Sequence, residues 1–133
     1  MYEDSQVPGN ATILTQLMSV IEDRKRNPPE RSYTTRLFAG GVSKIGDKLR
    51  EETDELIEAA DEPEDQRSGH VVHEAADLLY HLLVMLAHCD VPLSDVEDVL
   101  AQRFGISGLD EKASRQVADS NLDKNDLDKN TDG

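Results

Sequence analysis

Two pairs of acidic residues have the spacing of one helical turn. Glu52 and Glu55 form the first pair, and Glu74 and Asp77 form the second. Residues three apart lie on one face of an α-helix, so each pair presents two carboxylates in the same direction. Carboxylates that close repel each other unless a cation or a proton neutralises them, and oxygen ligands suit Mg²⁺ or Mn²⁺. The spacing therefore indicates either a Mg²⁺-type site or structural ion pairs and helix caps.

Glu52 is the acidic residue that a surface position explains least. At 100° per residue, Glu52 falls within about 60° of Ile45, Leu49 and Leu56, on an apolar stripe. A carboxylate is seldom buried without a partner or a metal. The surrounding acidic run, residues 51–65, is otherwise typical of a solvated helix face.

Several other kinds of site do not fit the sequence. No His has a Glu three residues before it, as a di-iron bundle requires, and no glycine pair is followed by the Gly-Lys-Ser/Thr of a P-loop. The single cysteine, Cys89, has no Cys/His partner pattern. His81 shares a helix face with Glu74 and Asp77, but hard cations prefer oxygen, so we interpret it as a hydrogen-bonded core or interface histidine.

The elements that must position these residues are predicted to be helices. Apolar residues recur at helical spacing, Pro and Gly interrupt them, and no segment alternates with the period of a strand. We therefore predict an all-α bundle of four to five helices, joined by a loop at Glu30–Thr35 and a charged turn at Asp61–Gly69. The first main helix is expected from about Asn10 or Thr12, either of which could cap it, to Asn27. The other three are expected at about Val42–Ala60, His70–Cys89 and, after the capping box Ser94–Glu97, up to Gly105.

The third predicted helix is apolar almost all round from Leu78 to Ala87. A helix that is apolar on every side needs neighbours on every side, and four helices of this length barely provide them. We therefore expect this helix to be buried in the interface of a homodimer.

The acidic composition of the chain limits the kinds of molecule that it can bind. The chain has 133 residues, with 14 Lys+Arg against 28 Asp+Glu and a net charge of −14. Such a chain is unsuited to nucleic acid or anionic membranes, but a divalent cation would still allow a small phosphorylated ligand. No apolar run has the length of a membrane span, and the N-terminal residues lack a basic, apolar leader. We expect a cytoplasmic location.

The chain divides by composition into three parts. Residues 1–10 are expected to be a loose arm, residues 11–115 the folded domain, and residues 116–133 a disordered acidic tail. The segment Asp128–Gly133 matches the first half of an EF-hand loop, but the Glu required at the twelfth position is missing. We do not expect a calcium site in the tail.

Three motifs read together resemble a known family. Ser32-Tyr33-Thr34, the segment Lys48–Glu55 and the segment Glu74–His81 are similar to those of phosphoribosyl-ATP pyrophosphatases of histidine biosynthesis, and Gly105–Arg115 is similar to their C-terminal stretch. The acidic pairs alone indicate only the wider all-α nucleoside-triphosphate pyrophosphatase superfamily, with its MazG-like and dimeric dUTPase-type enzymes. The Ser-Tyr-Thr and Leu-Tyr-His segments narrow the resemblance to the first family.

The resemblance implies a reaction and a set of site residues. The reaction would be Mg²⁺-dependent hydrolysis of phosphoribosyl-ATP to phosphoribosyl-AMP and pyrophosphate, the second step of histidine synthesis, in a homodimeric MazG-like bundle. Mg²⁺, or Mn²⁺ in its place, would be held by four carboxylates: Glu52, Glu55, Glu74 and Asp77. Glu51 would be a further ligand or the base that orients water, and Lys48 would pair with phosphate or temper carboxylate repulsion. The expected substrate contacts are Tyr33, Thr34, Lys112 and Arg115.

Two other functions compete with this one. A housekeeping nucleoside-triphosphate pyrophosphatase would use the same metal site but would act on dUTP or damaged nucleotides. A non-catalytic acidic helical interaction module would need no metal and would tolerate neutral residues in place of the carboxylates. The position of Glu52 on an apolar stripe argues against the module.

Overall fold

The structure, a computed structural model, describes residues 11–106. This part of the chain contains four α-helices and no strand, which confirms the all-α prediction. The helices are α1 (Ile13–Arg26), α2 (Tyr33–Ala60), α3 (Glu64–His88) and α4 (Leu93–Phe104). The first three belong to one compact unit that extends to Leu93, and α4 falls in a second unit that begins at Ser94. The predicted arm and acidic tail lie outside the described residues.

Helix α1 is tied to the end of α3 by one lysine. The hydroxyl of Thr12 accepts a hydrogen bond from the backbone N–H of Thr15 (3.3 Å) and so caps the start of α1. At the other end, the Nζ of Lys25 donates to the carbonyl oxygens of Ala87 (2.9 Å) and His88 (3.2 Å). These carbonyls belong to the last turn of α3, where an ammonium group also interacts favourably with the helix dipole.

Two helices begin earlier than the sequence predicts. The expected loop Glu30–Thr35 ends at Ser32, whose hydroxyl accepts a hydrogen bond from the N–H of Thr35 and caps α2. The expected turn Asp61–Gly69 is also shorter, because α3 begins at Glu64 directly after Pro63. Acidic residues in the first turn of α3 interact favourably with the helix dipole, so this charged segment is compatible with a helix.

The capping box of the fourth helix is displaced in the same direction. Helix α4 begins at Leu93, so Ser94 lies inside the first turn and does not cap the helix from outside. The end of α4, at Phe104 before Gly105, agrees with the sequence. None of the residues of α4 is buried.

Helix α2 reverses its direction at Gly41. Before this residue, Tyr33 contacts His81 and Phe38 stacks on His88, so this arm runs in the direction of α3. After it, Glu52 and Glu55 both approach Glu74, so the longer arm runs in the opposite direction.

The backbone of Gly41 explains why glycine stands at the reversal. It has φ 68° and ψ −160°, a conformation that is essentially restricted to glycine. The neighbouring Gly40 is also constrained, since a Cβ there would lie 2.5 Å from the Cβ of Lys44. The sequence predicted a helix that begins at Val42, directly after this glycine pair, and missed the helical arm before it.

The core of the first unit is aliphatic and draws on all three of its helices. It comprises Met18, Ile21, Leu37, Ile45, Leu83, Val84 and Ala87. Leu79 and Leu82 are 40% and 41% exposed, so no other residue in the range 11–106 covers this side of α3 completely. Among residues 11–106 no single helix is long and apolar enough to cross a membrane; only α3 and α4 counted together, as a broken pair, pass that test.

Candidate functional site

Three of the predicted metal ligands converge between α2 and α3. Glu52, Glu55 and Glu74 each offer a carboxylate oxygen, and these three atoms lie within 4.8 Å of one another. The longer arm of α2 runs antiparallel to α3, which brings the two acidic pairs together. Asp77, one turn beyond Glu74, is close enough for its charge to raise the pKa of Glu52. We call these four residues the carboxylate cluster.

Glu52 is the buried member of the carboxylate cluster. It is only 6% exposed, as its place on the apolar stripe predicted. Burial is the largest cause that raises its pKa from 4.5 to about 7, and the negative charges of Glu55, Asp77 and Glu74 raise it further. Lys48 opposes the shift, and the pKa stays raised in spite of it. The carboxylate cluster therefore holds more negative charge than the metal-free protein stabilises.

Two oxygens of the carboxylate cluster have no hydrogen-bond partner within the described part of the chain. Both Oε1 of Glu52 and Oε1 of Glu74 are buried and accept no hydrogen bond from any residue in the range 11–106. Leaving such atoms unsatisfied is costly unless a ligand fills the space. Converging carboxylate oxygens, two of them unpartnered, are the donor set that a hard divalent cation prefers. The residues present therefore fit Mg²⁺ or Mn²⁺.

Lys48 and Glu51 lie at the edge of the carboxylate cluster. The Nζ of Lys48 donates to Oε1 of Glu51 (3.1 Å) and lies 3.9 Å from Oε2 of Glu52. The hydrogen bond to Glu51 is the main cause that raises the pKa of Lys48, so this side chain stays positive. Glu51 is exposed and does not belong to the group of three converging carboxylates. Its role as a further metal ligand or as the base that orients water stays a prediction.

The Ser-Tyr-Thr segment lies against α3. The hydroxyl of Tyr33 is 2.9 Å from Nε2 of His81, and its side chain is 39% exposed. Thr34, in contrast, is buried, and its hydroxyl bonds to that of Tyr80. The structure thus leaves Tyr33 accessible and gives Thr34 a packing contact. Binding of substrate by either residue stays a prediction, and Lys112 and Arg115 lie outside the described residues.

Sequence reasoning missed Arg36, a cation close to this site. Its guanidinium carbon lies 5.8 Å from the centroid of the Tyr33 ring, a distance typical of a cation–π contact. Tyr33 and Arg36 are three residues apart, so a helix would have placed them on one face. The sequence predicts the segment Glu30–Thr35 as a loop, and a loop does not imply this proximity.

The fold and the site together define an all-α protein whose carboxylate cluster suits a divalent cation. A family model described as phosphoribosyl-ATP pyrophosphohydrolase matches residues 14–104. A phosphoribosyl-ATP pyrophosphatase from Rhodopirellula baltica is 48% identical over 109 residues, which cover 82% of this chain and 91% of the relative. One from Nitrosospira multiformis is 44% identical over 119 residues, 88% of this chain and 96% of the relative. The chain belongs to the phosphoribosyl-ATP pyrophosphohydrolase family.

The burial of Glu52 predicts an unusual effect of the substitution Glu52→Gln on stability. With EDTA at about pH 8, the variant should exceed the wild type in free energy of unfolding by about 3 kcal/mol. The cause is that the native carboxyl has a pKa of about 7, against 4.5 for the ordinary group, so the wild type loses stability as pH rises through this window. Urea unfolding at about pH 4 and pH 8 measures the difference, which should vanish at the lower pH.

Glu58→Gln is the matched control, because Glu58 is an exposed carboxylate on the same helix. It should change the stability little at either pH. Added Mg²⁺ should stabilise the wild type and this control but not Glu52→Gln. Equal pH dependence in the wild type and Glu52→Gln would contradict the assigned environment of Glu52.

Proposed function

We propose that the protein hydrolyses phosphoribosyl-ATP to phosphoribosyl-AMP and pyrophosphate in a Mg²⁺-dependent reaction, the second step of histidine biosynthesis. The observation that carries the proposal is the carboxylate cluster, with the buried Glu52 at its centre. Family membership supports phosphoribosyl-ATP as the substrate. The relatives are named phosphoribosyl-ATP pyrophosphatases, and this chain aligns with nearly their whole length.

The carboxylate cluster explains how an acidic protein can bind a polyphosphate. Glu52, Glu55, Glu74 and Asp77 would hold Mg²⁺, which when bound neutralises phosphate oxygens and lowers the pKa of a coordinated water. Without a cation, the four carboxylates would repel a triphosphate. We therefore expect binding of substrate to depend on the cation as strongly as the chemistry does.

Lys48 and Glu51 have complementary parts in this proposal. Glu51, exposed at the edge of the carboxylate cluster, accepts a proton from the attacking water or serves as a further ligand. Lys48 holds Glu51 in place through their 3.1 Å hydrogen bond and brings a positive charge near the phosphate oxygens.

Pyrophosphate release in the presence of Mg²⁺ tests the proposed reaction. We expect release from phosphoribosyl-ATP, its loss with EDTA, and a decrease of about 100-fold or more in Asp77→Asn with an unchanged far-UV CD spectrum. Glu58→Gln, which alters an exposed carboxylate outside the cluster, should keep full activity. The same assay should include dUTP and other free nucleoside triphosphates.

The outcomes separate the three candidate functions. Preferential turnover of a free triphosphate would contradict the histidine-pathway substrate and favour a housekeeping pyrophosphatase. Absence of turnover on every substrate, with the chain folded, would favour the acidic interaction module. Full activity in Asp77→Asn would contradict the proposal that Asp77 is a metal ligand.

We also propose that the protein is a homodimer through α3. Val72, Leu79 and Leu82 are large, exposed apolar residues on one face of this helix, since their spacing places them within about 80° of one another. A contiguous apolar stripe of this kind is typical of a surface that a partner covers. We take the partner to be a second copy of the chain, because most soluble oligomers are homo-oligomers and dimers are the commonest of them.

Sedimentation velocity tests the homodimer. The wild type should sediment with twice the mass of the chain, and Leu82→Glu should shift it to the monomer, because a buried carboxylate in the interface is unfavourable. Ile13→Glu is the control, since Ile13 is an exposed apolar residue of α1 and not of α3. A wild type that sediments as a monomer at micromolar concentration would contradict the proposal.

A further inference from the structure

Arg36 is an exposed cation beside the site, and its charge is not paired within the described part of the chain. Its guanidinium carbon lies 5.8 Å from the centroid of the Tyr33 ring. Arg36 takes part in none of the ion pairs that form within residues 11–106. A cation–π contact uses the charge of the guanidinium and not its N–H donors. Arg36 therefore has donors to offer to a ligand.

The segment around Arg36 carries no negative side chain. No Asp or Glu occurs in residues 31–46, although the chain has 28 of them, and the first turn of α2 has no acidic residue. Three cations occur in the same segment: Arg31, Arg36 and Lys44. The four carboxylates of the carboxylate cluster all lie beyond it in the sequence. An anion that approaches Arg36 therefore avoids the repulsion that it meets at the metal-free cluster.

Contacts through Tyr33 connect Arg36 to the part of α3 that carries the carboxylate cluster. The hydroxyl of Tyr33 lies 2.9 Å from Nε2 of His81, and Nδ1 of His81 lies 2.8 Å from the carbonyl oxygen of Asp77. Lys48 is the cation at the cluster itself, since its Nζ is 3.9 Å from a cluster carboxylate. Arg36 has no such contact and reaches Asp77 only through two rings. The site therefore has one cation at the carboxylate cluster and a second one farther away.

The proposed substrate carries phosphate at two separate places. Phosphoribosyl-ATP has a triphosphate on its adenosine ribose and a single phosphate on the second ribose, which is attached to the adenine. Hydrolysis removes pyrophosphate from the triphosphate and leaves the single phosphate unchanged. Because Mg²⁺ on the carboxylate cluster would bind the triphosphate, the single phosphate needs a cation away from the metal. Free nucleoside triphosphates lack this second phosphate.

We propose that Arg36 binds the phosphate of the phosphoribosyl group and so selects phosphoribosyl-ATP over free nucleoside triphosphates. Its planar guanidinium offers two parallel N–H donors to the phosphate oxygens, a bidentate contact that an ammonium group does not make. The contact with the Tyr33 ring holds the guanidinium beside the site. The inference rests on the proposed function, because it takes phosphoribosyl-ATP to be the substrate.

Calorimetry of phosphoribosyl-AMP and AMP binding in the presence of Mg²⁺ measures this selectivity without turnover. AMP has the same adenosine phosphate but lacks the phosphoribosyl group. The wild type should bind phosphoribosyl-AMP more tightly than AMP. Arg36→Gln should weaken the binding of phosphoribosyl-AMP about 10- to 100-fold and leave that of AMP unchanged. Arg36→Lys should restore part of the affinity, because it keeps the charge but not the bidentate contact.

Arg50→Gln is the matched control. It removes one positive charge from the same helix, but Arg50 lies about 200° around α2 from Glu52 and pairs with Asp47 at 3.2 Å. This variant should bind both nucleotides as the wild type does. A comparable loss of phosphoribosyl-AMP binding in Arg50→Gln would indicate a general effect of charge and would overturn the inference.

Steady-state release of pyrophosphate from phosphoribosyl-ATP gives a second measurement. Arg36→Gln should raise KM about 10- to 100-fold and change kcat little, because the phosphate that Arg36 binds is away from the bond that is cleaved. A loss confined to kcat would place Arg36 at the reacting phosphates and would overturn the inference.

The binding outcomes also separate this inference from the proposed function. Three results would overturn the role of Arg36: no binding of phosphoribosyl-AMP by the wild type, equal binding of phosphoribosyl-AMP and AMP, or equally weakened binding of both in Arg36→Gln. Turnover of phosphoribosyl-ATP is decided separately by pyrophosphate release. Arg36-dependent binding of phosphoribosyl-AMP by a protein without that turnover would support the inference and contradict the proposed reaction.

Discussion

The candidate site is built around a carboxylate that is buried among other carboxylates. Glu52 lies on the apolar face of α2, and the charges of Glu55, Glu74 and Asp77 all oppose its ionisation. A cluster of this kind reduces the stability of the metal-free protein, because it needs either a proton or a cation. Divalent cation binding would turn the same repulsion into a favourable interaction.

The reversal of α2 allows one helix pair to build both halves of the site. The arm after Gly41 carries the cluster residues Glu52 and Glu55, and the arm before it carries Tyr33 back toward the same region of α3. The reversal is possible because Gly41 adopts a backbone conformation that other residues rarely adopt. The carboxylate cluster and the exposed hydroxyl of Tyr33 therefore come from two antiparallel helices and one short arm.

The sequence predicted the parts of this arrangement that depend on local periodicity. The 100° spacing on α2 was sufficient to place Glu52 on the buried face, and Pro and Gly marked most helix ends. The helical arm from Tyr33 was missed because polar residues after Ser32 look like a loop unless the serine is taken as an N-cap. The contact between Tyr33 and His81 joins residues 48 positions apart, so only the tertiary fold could reveal it.

The central claim is that the carboxylate cluster binds a divalent cation. The most direct measurement is the anomalous scattering of Mn²⁺ in crystals of the full chain grown with this ion. The account predicts an anomalous peak coordinated by carboxylate oxygens of Glu52, Glu55 and Glu74, with the two unpartnered oxygens among the ligands or beside them. Absence of a peak at these residues under saturating Mn²⁺, while the cluster is open to solvent, would contradict the account.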